Sequence, residues 1–268
     1  MKSETFTSFC RLVYEKSGIT LKEGKEALVA ARVSKRLRAL HLNTFEDYLA
    51  YLEEDSSGNE IVYLLDAIST NVTSFYRESH HFHLLQKVME GWVHEGQHRF
   101  RIWCAASSTG EEPYTLAMTM AEVCQKPGMD WKILATDIST KVLDLAHAGA
   151  YRSEKVEVIP PQLRQKYFDC SKDAAGDKVF RAKPALQDHL LFRRLNLREI
   201  PFPMKGPMDF IFCRNVMIYF DNPVRQPLVN EFYRLLKRGG ILCIGSSESL
   251  TGLKTDFQNL GPSTYVKP

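Results

Sequence analysis

The first seventy residues place apolar side chains at helical spacing. Such positions recur every three or four residues, first in Phe6, Phe9, Cys10 and Val13 and again in Phe45, Tyr48, Leu49 and Leu52. Gly18 is expected to end the first of these segments, because glycine readily adopts the left-handed conformation found after helices. The pattern predicts a small all-α region.

The pattern changes at about residue 99, where short apolar runs alternate with helical segments. The predicted strands are 99–105, 131–136, 208–213 and 241–245, and the predicted helices are 113–124, 141–148 and 223–236. Strands that alternate with helices indicate a parallel sheet covered by helices on both faces. We therefore predict an α/β, doubly wound domain.

Residues 151–197 interrupt this alternation. The runs KYFDC and VFRAK flank the turn-rich segment SKDAAGDK, and LLFRRLNL resumes a strand-like pattern. The runs predict an inserted antiparallel β-hairpin. Insertions into a complete sheet often carry contacts to partners or substrates.

A basic helix face lies within EGKEALVAARVSKRLRAL. Val29, Val33 and Leu37 share one side of this helix, while basic residues cluster on the other at Arg32, Lys35 and Arg36. Two interpretations are open at this point, a solvated helix surface and a docking surface for an acidic partner.

Composition excludes several classes of protein. The chain has 268 residues, 44% of them hydrophobic, and a net charge of +3, which is less basic than most nucleic-acid-binding domains. No apolar run approaches the roughly 18 residues of a membrane span, and the N-terminus lacks the apolar segment of a signal peptide, so a cytoplasmic location is expected. The six cysteines show neither CxxC nor Cys/His metal spacing, which argues against disulfides and zinc.

The stretch RIWCAASSTGEEPY, residues 101–114, has the layout of a strand, a tight turn and a helix start. In parallel sheets this turn is a common place for cofactors, and its small residues allow a ligand to approach the backbone. Pro113 suits the first position of the helix. The turn lacks the GxGxxG pattern of dinucleotide sites.

The two glutamates of this turn, Glu111 and Glu112, would repel a pyrophosphate and favour a cationic ligand. S-adenosylmethionine carries a sulfonium and an amine but no phosphate. Asp137 ends the next strand, where related folds place an acidic residue that accepts hydrogen bonds from ribose hydroxyls. Its alternative role is to cap the following helix.

Six motifs follow one another along the chain: NVTSFYRESHHF, STGEEPY, ATDIS, NL, FCRNVMIYF and GSSES. Their order and approximate spacing resemble those of the CheR family, the chemotaxis receptor glutamate methyltransferases. The resemblance extends from about Phe6 to Tyr265. TGEEPY and FCRNVMIYF are far more specific than a glycine pattern alone.

The resemblance implies a helical receptor-recognition domain at 1–72 and a Rossmann-like S-adenosylmethionine-binding methyltransferase domain at 73–268, with an inserted β subdomain at about 152–195. It implies methylation of glutamate side chains on the cytoplasmic helices of chemoreceptors, with S-adenosylhomocysteine as product. In some relatives the insert binds a receptor C-terminal peptide through a glycine-containing loop. The corresponding loop here, CSKDAAGDK, has one glycine.

The resemblance also implies roles for individual residues. Arg77 and Tyr219 would lie at the transferring methyl group, where they position the reactants. Cofactor contacts would come from Asn71, Thr73, Arg77, Glu111 or Glu112, Asp137, Asn196, Leu197, Arg214, Asn215 and Val216. The acidic receptor helices would bind the basic patch formed by Arg32, Lys35, Arg36 and Arg38.

Structural alternatives exist for several of these residues. Asn71 and Thr73 could cap a helix that begins at Ser74 or Phe75, and Arg77 could pair on the surface with Glu78 or Asp66. Tyr219 could be a core aromatic residue.

The alternatives to this interpretation are a metal site and two further functions. His80, His81 and His83 share one helical turn without a carboxylate or cysteine at ligand spacing, so no metal site is predicted. Two alternative functions are methylation of a small molecule or nucleic acid, and a binding module that holds the cofactor and signals through protein contacts.

Overall fold

Four helices form the N-terminal part of the computed structural model, which describes residues 1–268. They are α1 (Ser3–Ser17), α2 (Glu26–Leu40), α3 (Phe45–Glu54) and α4 (Asn59–Ile68). Their apolar faces meet in one core that includes Phe9, Val33, Tyr48 and Leu64. Gly18 adopts the left-handed conformation and ends α1, so the predicted all-α region and this helix end are confirmed.

The rest of the chain forms seven helices and ten strands. The helices are α5 (His80–His94), α6 (Glu111–Val123), α7 (Thr140–Ala148), α8 (Ser153–Val156), α9 (Pro161–Tyr167), α10 (Pro184–Gln187) and α11 (Asn222–Leu235). The strands are β1 (Arg99–Cys104), β2 (Asp130–Asp137), β3 (Ala150–Arg152), β4 (Phe168–Lys172), β5 (Lys178–Ala182), β6 (Leu190–Arg194), β7 (Met208–Cys213), β8 (Leu236–Ile244), β9 (Gln258–Gly261) and β10 (Thr264–Val266).

Seven strands form the large sheet, in the order β6-β2-β1-β7-β8-β10-β9. The first five are parallel to one another. Along β1, Phe100 and Ile102 face one core, whereas Trp103 faces the other. Both faces of the sheet are therefore buried, and the predicted doubly wound fold is confirmed.

The C-terminal edge of the sheet was not predicted. β10 runs antiparallel to both β8 and β9. A short turn joins β9 to β10, and Ser263 in that turn has a positive φ of 54°. Such a short connection can only reverse the chain, because a parallel pair needs a long crossover.

The insertion forms a separate antiparallel sheet in the order β3-β5-β4. The predicted hairpin is confirmed, with Cys170 of KYFDC opposite Phe180 of VFRAK. The strand predicted in LLFRRLNL is also present as β6, but it pairs with β2 in the large sheet. The second sheet therefore spans residues 150–182.

Several contacts join the N-terminal helices to the large sheet. The Tyr14 hydroxyl donates to Asp221 at 2.9 Å, and the Thr20 amide donates to the Tyr219 carbonyl at 2.8 Å. A Cβ on Gly18 would lie 3.0 Å from a methyl group of Val224, so the chain passes close to α11 here.

No helix is both long enough and apolar enough to span a membrane.

Candidate functional site

A cavity of about 480 Å³ lies at the carboxyl ends of β1, β2 and β7 and reaches the N-terminal helices. Ligands of doubly wound sheets bind at this edge. The predicted site residues that line it are Asn71, Thr73, Arg77, Glu112, Asp137, Asn196, Leu197, Arg214, Asn215, Val216 and Tyr219. The structure thus brings together positions from both halves of the chain.

The turn after β1 forms one wall of the cavity. Gly110 has a φ of 98°, and a Cβ there would lie 2.5 Å from the Tyr151 hydroxyl, so only glycine fits. This conformation allows α6 to begin at Glu111, so Pro113 is the third helical residue. The prediction that Pro113 is the first helical residue is wrong. The Ser108 amide donates to the Asp137 carboxylate at 2.8 Å and links this turn to β2.

The structure separates the two glutamates. Glu111 is fully buried outside the cavity, where its carboxylate accepts from the Thr109 hydroxyl at 2.6 Å and pairs with Lys155. Glu112 lines the cavity, and its carboxylate pairs with Arg214 at 2.6 Å. Each glutamate therefore has its own cation, and the prediction that two like charges face the ligand is wrong.

Arg214 is a buried cation between two carboxylates. Its guanidinium lies 2.6 Å from Glu112 and 3.2 Å from Glu78, and it also donates to the Arg77 carbonyl. Burial alone would lower the pKa of Arg214, but Glu112 and Glu78 outweigh that effect and raise it. Arg214 therefore stays charged and links the segment that carries Glu78 to the start of α6, which carries Glu112.

Asp137 presents its carboxylate at the end of β2. It accepts hydrogen bonds from the amides of Ser108 at 2.8 Å and Ser139 at 3.0 Å. Burial raises its pKa, and these amide hydrogen bonds oppose that shift. The side chain of Ser139, not Asp137, caps α7, so the capping alternative for Asp137 is wrong.

Asn71, Thr73 and Arg77 lie on the segment between the helical region and α5. The next helix, α5, starts only at His80, so no helix begins at Ser74 or Phe75. This rules out the alternative that Asn71 and Thr73 cap such a helix. Arg77 donates to the Val72 carbonyl at 2.8 Å and pairs with neither Glu78 nor Asp66. Its guanidinium borders the cavity with donors to spare.

The opposite wall comes from the segments after β6 and β7. The Asn196 amide group donates to the Lys16 carbonyl at 2.7 Å and to Glu199 at 2.9 Å, so this side chain fixes the turn. Leu197 adds an apolar surface. Tyr219 ends a single 3-10 turn, Met217–Tyr219, and is half-buried beside Thr20.

The predicted basic patch lies apart from the cavity lining, on α2. Arg36 makes a bidentate pair with buried Glu60 at 2.7 and 2.8 Å, and Arg32 donates to the carbonyls of Ile68 and Ser69 at the end of α4. Lys35 and Arg38 extend into solvent. The exposed charge on this face therefore comes from two of the four predicted residues, because α2 packs against α4.

Comparison with known proteins identifies the family. The family model described as "CheR methyltransferase, all-alpha domain" matches residues 4–69, and the model described as "CheR methyltransferase, SAM binding domain" matches residues 71–266. The chain belongs to the CheR methyltransferase family. The predicted resemblance is confirmed.

Relatives in this family match almost the whole CheR chain. The chemotaxis protein methyltransferases of Salmonella typhimurium and Escherichia coli are 37% and 38% identical to it, each across 97% of this chain and 89% and 90% of their own length. That of Borreliella burgdorferi is 39% identical across 96% of this chain and 92% of its own. The protein is thus a chemotaxis protein methyltransferase, and the binding-module alternative is not supported.

The cavity of this CheR protein fits its cofactor, S-adenosylmethionine. Its volume falls in the roughly 300–1,000 Å³ range of small-molecule sites. It offers the chemistry that the cofactor needs: carboxylates at Asp137 and Glu112 for hydroxyl and amino groups, and apolar side chains at Ile138, Leu197 and Val216 for a flat base.

Two glutamates of this CheR chain, Glu78 and Glu248, were not among the predicted site residues but support the cavity walls. Glu248 is buried and accepts from the amides of Gly245, Asn215 and Ile218 at 2.6, 3.0 and 3.1 Å, which shapes the loop after β7. Burial raises its pKa, and the amide hydrogen bonds oppose that rise. Glu78 lies within NVTSFYRESHHF and Glu248 within GSSES, so these two motifs were the signal that could have found them.

Proposed function

We propose that this methyltransferase transfers the methyl group of S-adenosylmethionine to glutamate side chains on the cytoplasmic helices of chemoreceptors, forming glutamyl methyl esters. The observation that carries this proposal is the state of the acidic groups in the cavity. Glu112 is paired with Arg214, Asp137 accepts two backbone amides, and no histidine lines the cavity. Both carboxylates are therefore already engaged with cations or amides, and their remaining acceptor positions are assigned below to the cofactor, so neither is assigned as a general base.

This arrangement favours a nucleophile that is already ionised. A glutamate side chain has an ordinary pKa of about 4.3, so it needs no base at neutral pH, whereas an ammonium or a hydroxyl would. The bound cofactor supplies an electrophilic methyl group. The protein then has to align the carboxylate and exclude water, which are large contributions to rate.

We assign the cavity residues to these tasks. Asp137 binds the ribose hydroxyls and Glu112 the amino-acid part, while Asn196 and Leu197 border the adenine. Arg77 and Tyr219 position the reactants at the methyl group. The remaining cofactor contacts come from Asn71, Thr73, Arg214, Asn215 and Val216.

Exposed apolar side chains border the same cavity and support water exclusion. Val72 is 77% exposed, Ile218 44% and Leu28 43%, and each lines the cavity. The exposed Lys22 and Lys25 also line it. This combination suits an acidic helix whose target glutamate enters the cavity while its neighbours cover the opening.

We further propose that residues 1–72 act as the receptor-recognition domain and 73–268 as the methyltransferase domain. The exposed Lys35 and Arg38 on α2 would attract the acidic receptor helices. Charge complementarity of this kind mainly raises the association rate.

Reversing these two charges, in the variant Lys35→Glu/Arg38→Glu, is expected to lower kcat/KM for receptor fragments about tenfold at low salt and to weaken its salt dependence. S-adenosylmethionine affinity should not change. The matched control is Lys87→Glu/Lys126→Glu, which makes the same change in net charge at exposed sites on α5 and after α6. Equal losses in the two variants would contradict the patch assignment.

The two adjacent glutamates allow a paired test of cofactor binding. Glu112→Gln should weaken S-adenosylmethionine binding about tenfold or more, because it removes a cavity carboxylate and the partner of Arg214. Glu111→Gln should lower the unfolding temperature but keep the affinity near wild type. Isothermal titration calorimetry measures the two affinities, and thermal unfolding measures the two stabilities. An affinity loss confined to Glu111→Gln would reverse the assignment.

The proposed reaction is tested with labelled S-adenosylmethionine and cytoplasmic receptor fragments. The expected product is a base-labile methyl ester on glutamate. Base-stable label on the fragments, or label transferred only to a small molecule or nucleic acid, would reject the proposal.

A further inference from the structure

Glu78 connects three segments of the chain at the edge of the cofactor cavity. Its carboxylate accepts from the Asn215 side chain at 3.1 Å and from the Ser246 amide at 3.0 Å, and it lies 3.2 Å from the Arg214 guanidinium. Those partners follow β7 and β8, whereas Glu78 precedes α5. Glu78 itself is not among the residues that line the cavity.

The turn that carries Glu78 has an unfavourable backbone. Tyr76 and Glu78 have positive φ values of 54° and 53°, which cost residues other than glycine of order 1 kcal/mol or more. Such conformations persist only where the surroundings hold them. Arg77, which lines the cavity, lies between the two, and its carbonyl accepts from Arg214.

The carboxylate of Glu78 is charged in the folded protein. Burial by itself raises its pKa, but the Asn215 hydrogen bond and the Arg214 charge outweigh burial and lower the pKa to about 2. The nearby His81 ring, 3.7 Å away, is fully buried, and burial lowers its pKa to about 3. His81 is therefore neutral at physiological pH, and Arg214 is the cation that compensates Glu78.

We propose that Glu78 is a positioning residue for S-adenosylmethionine, because its carboxylate holds Arg77 and Asn215 in place on two walls of the cavity. Asn215 has a φ of 57°, so it too is held in a conformation that needs support. Glu78 acts through these neighbours without touching the cofactor. This inference rests on the cavity roles given under the proposed function, but it does not depend on the receptor substrate.

The test is a double-mutant cycle on the full chain, read by the dissociation constant for S-adenosylmethionine in the absence of any receptor fragment. Glu78→Gln keeps the shape of the side chain and removes its charge, and it is expected to weaken binding about tenfold. In an Arg77→Ala background the same change should weaken binding clearly less than tenfold, because one of the two residues through which Glu78 acts is already absent and only Asn215 remains.

A matched control separates positioning from general stability. Glu231 is a similarly buried carboxylate that holds Arg234 at 2.7 Å and accepts from the Phe202 amide at 3.3 Å, and it does not line the cavity. Glu231→Gln should lower the unfolding temperature as Glu78→Gln does and leave the dissociation constant unchanged.

Three results would overturn the inference. They are wild-type affinity in Glu78→Gln, fully additive losses with Arg77→Ala, or an equal loss in Glu231→Gln. Failure of receptor fragments to become methylated would count against the proposed substrate alone, since the cycle measures only cofactor binding.

Discussion

Replacing Arg214 with leucine is expected to lower the free energy of unfolding by about 3–5 kcal/mol and to abolish measurable S-adenosylmethionine binding. Arg214 is fully buried between Glu78 and Glu112, at 3.2 and 2.6 Å. Its loss would leave both carboxylates without their cation, and they would repel each other. Denaturant unfolding and calorimetric titration measure the two effects.

A compensated variant provides the control for this prediction. Adding Glu78→Gln and Glu112→Gln to Arg214→Leu removes the uncompensated charges, so much of the lost stability should return while cofactor binding stays weak. If Arg214→Leu alone unfolded at the wild-type denaturant concentration, the buried ion pairs would not have the importance assigned to them.

Replacing Arg77 with alanine is expected to reduce kcat/KM for receptor methylation about 100-fold, because misplacement of reacting groups by about 1 Å can cost that much. The folded state should change little, since the one hydrogen bond that the guanidinium makes is to the Val72 carbonyl. Methyl transfer from labelled cofactor to receptor fragments gives the rate, and thermal unfolding gives the control. A rate near wild type would remove Arg77 from the active site.

Much of the fold could be predicted because the local patterns agree with the tertiary structure. The run around Trp103 is apolar on both sides, which requires helices on both faces of the sheet. Gly18 marks a helix end through its own backbone preference. The antiparallel edge at Thr264 could not be anticipated in the same way, because β9 and β10 have only four and three residues.

Many of the side chains that line the cavity could be predicted from the sequence, but not the contacts between them. Glu111 and Glu112 are the first two residues of α6, where adjacent side chains point about 100° apart, so they do not both face one ligand. The predicted helix began two residues later, at Pro113, and this separation was therefore not anticipated. The contact of Arg214 with Glu78 and Glu112 could not be read, because each partner comes from a different segment. The burial of Arg36 against Glu60 was hidden for the same reason.

The close approach of Gly18 to Val224 and the Thr20–Tyr219 hydrogen bond have a thermodynamic consequence. Ile19, Thr20 and Leu21 belong to the helical part of the chain, yet they line the same cavity as Asp137 of the sheet. A ligand that contacts both parts stabilises the arrangement in which they are docked. Cofactor binding is therefore expected to strengthen the junction between the helical part and the sheet.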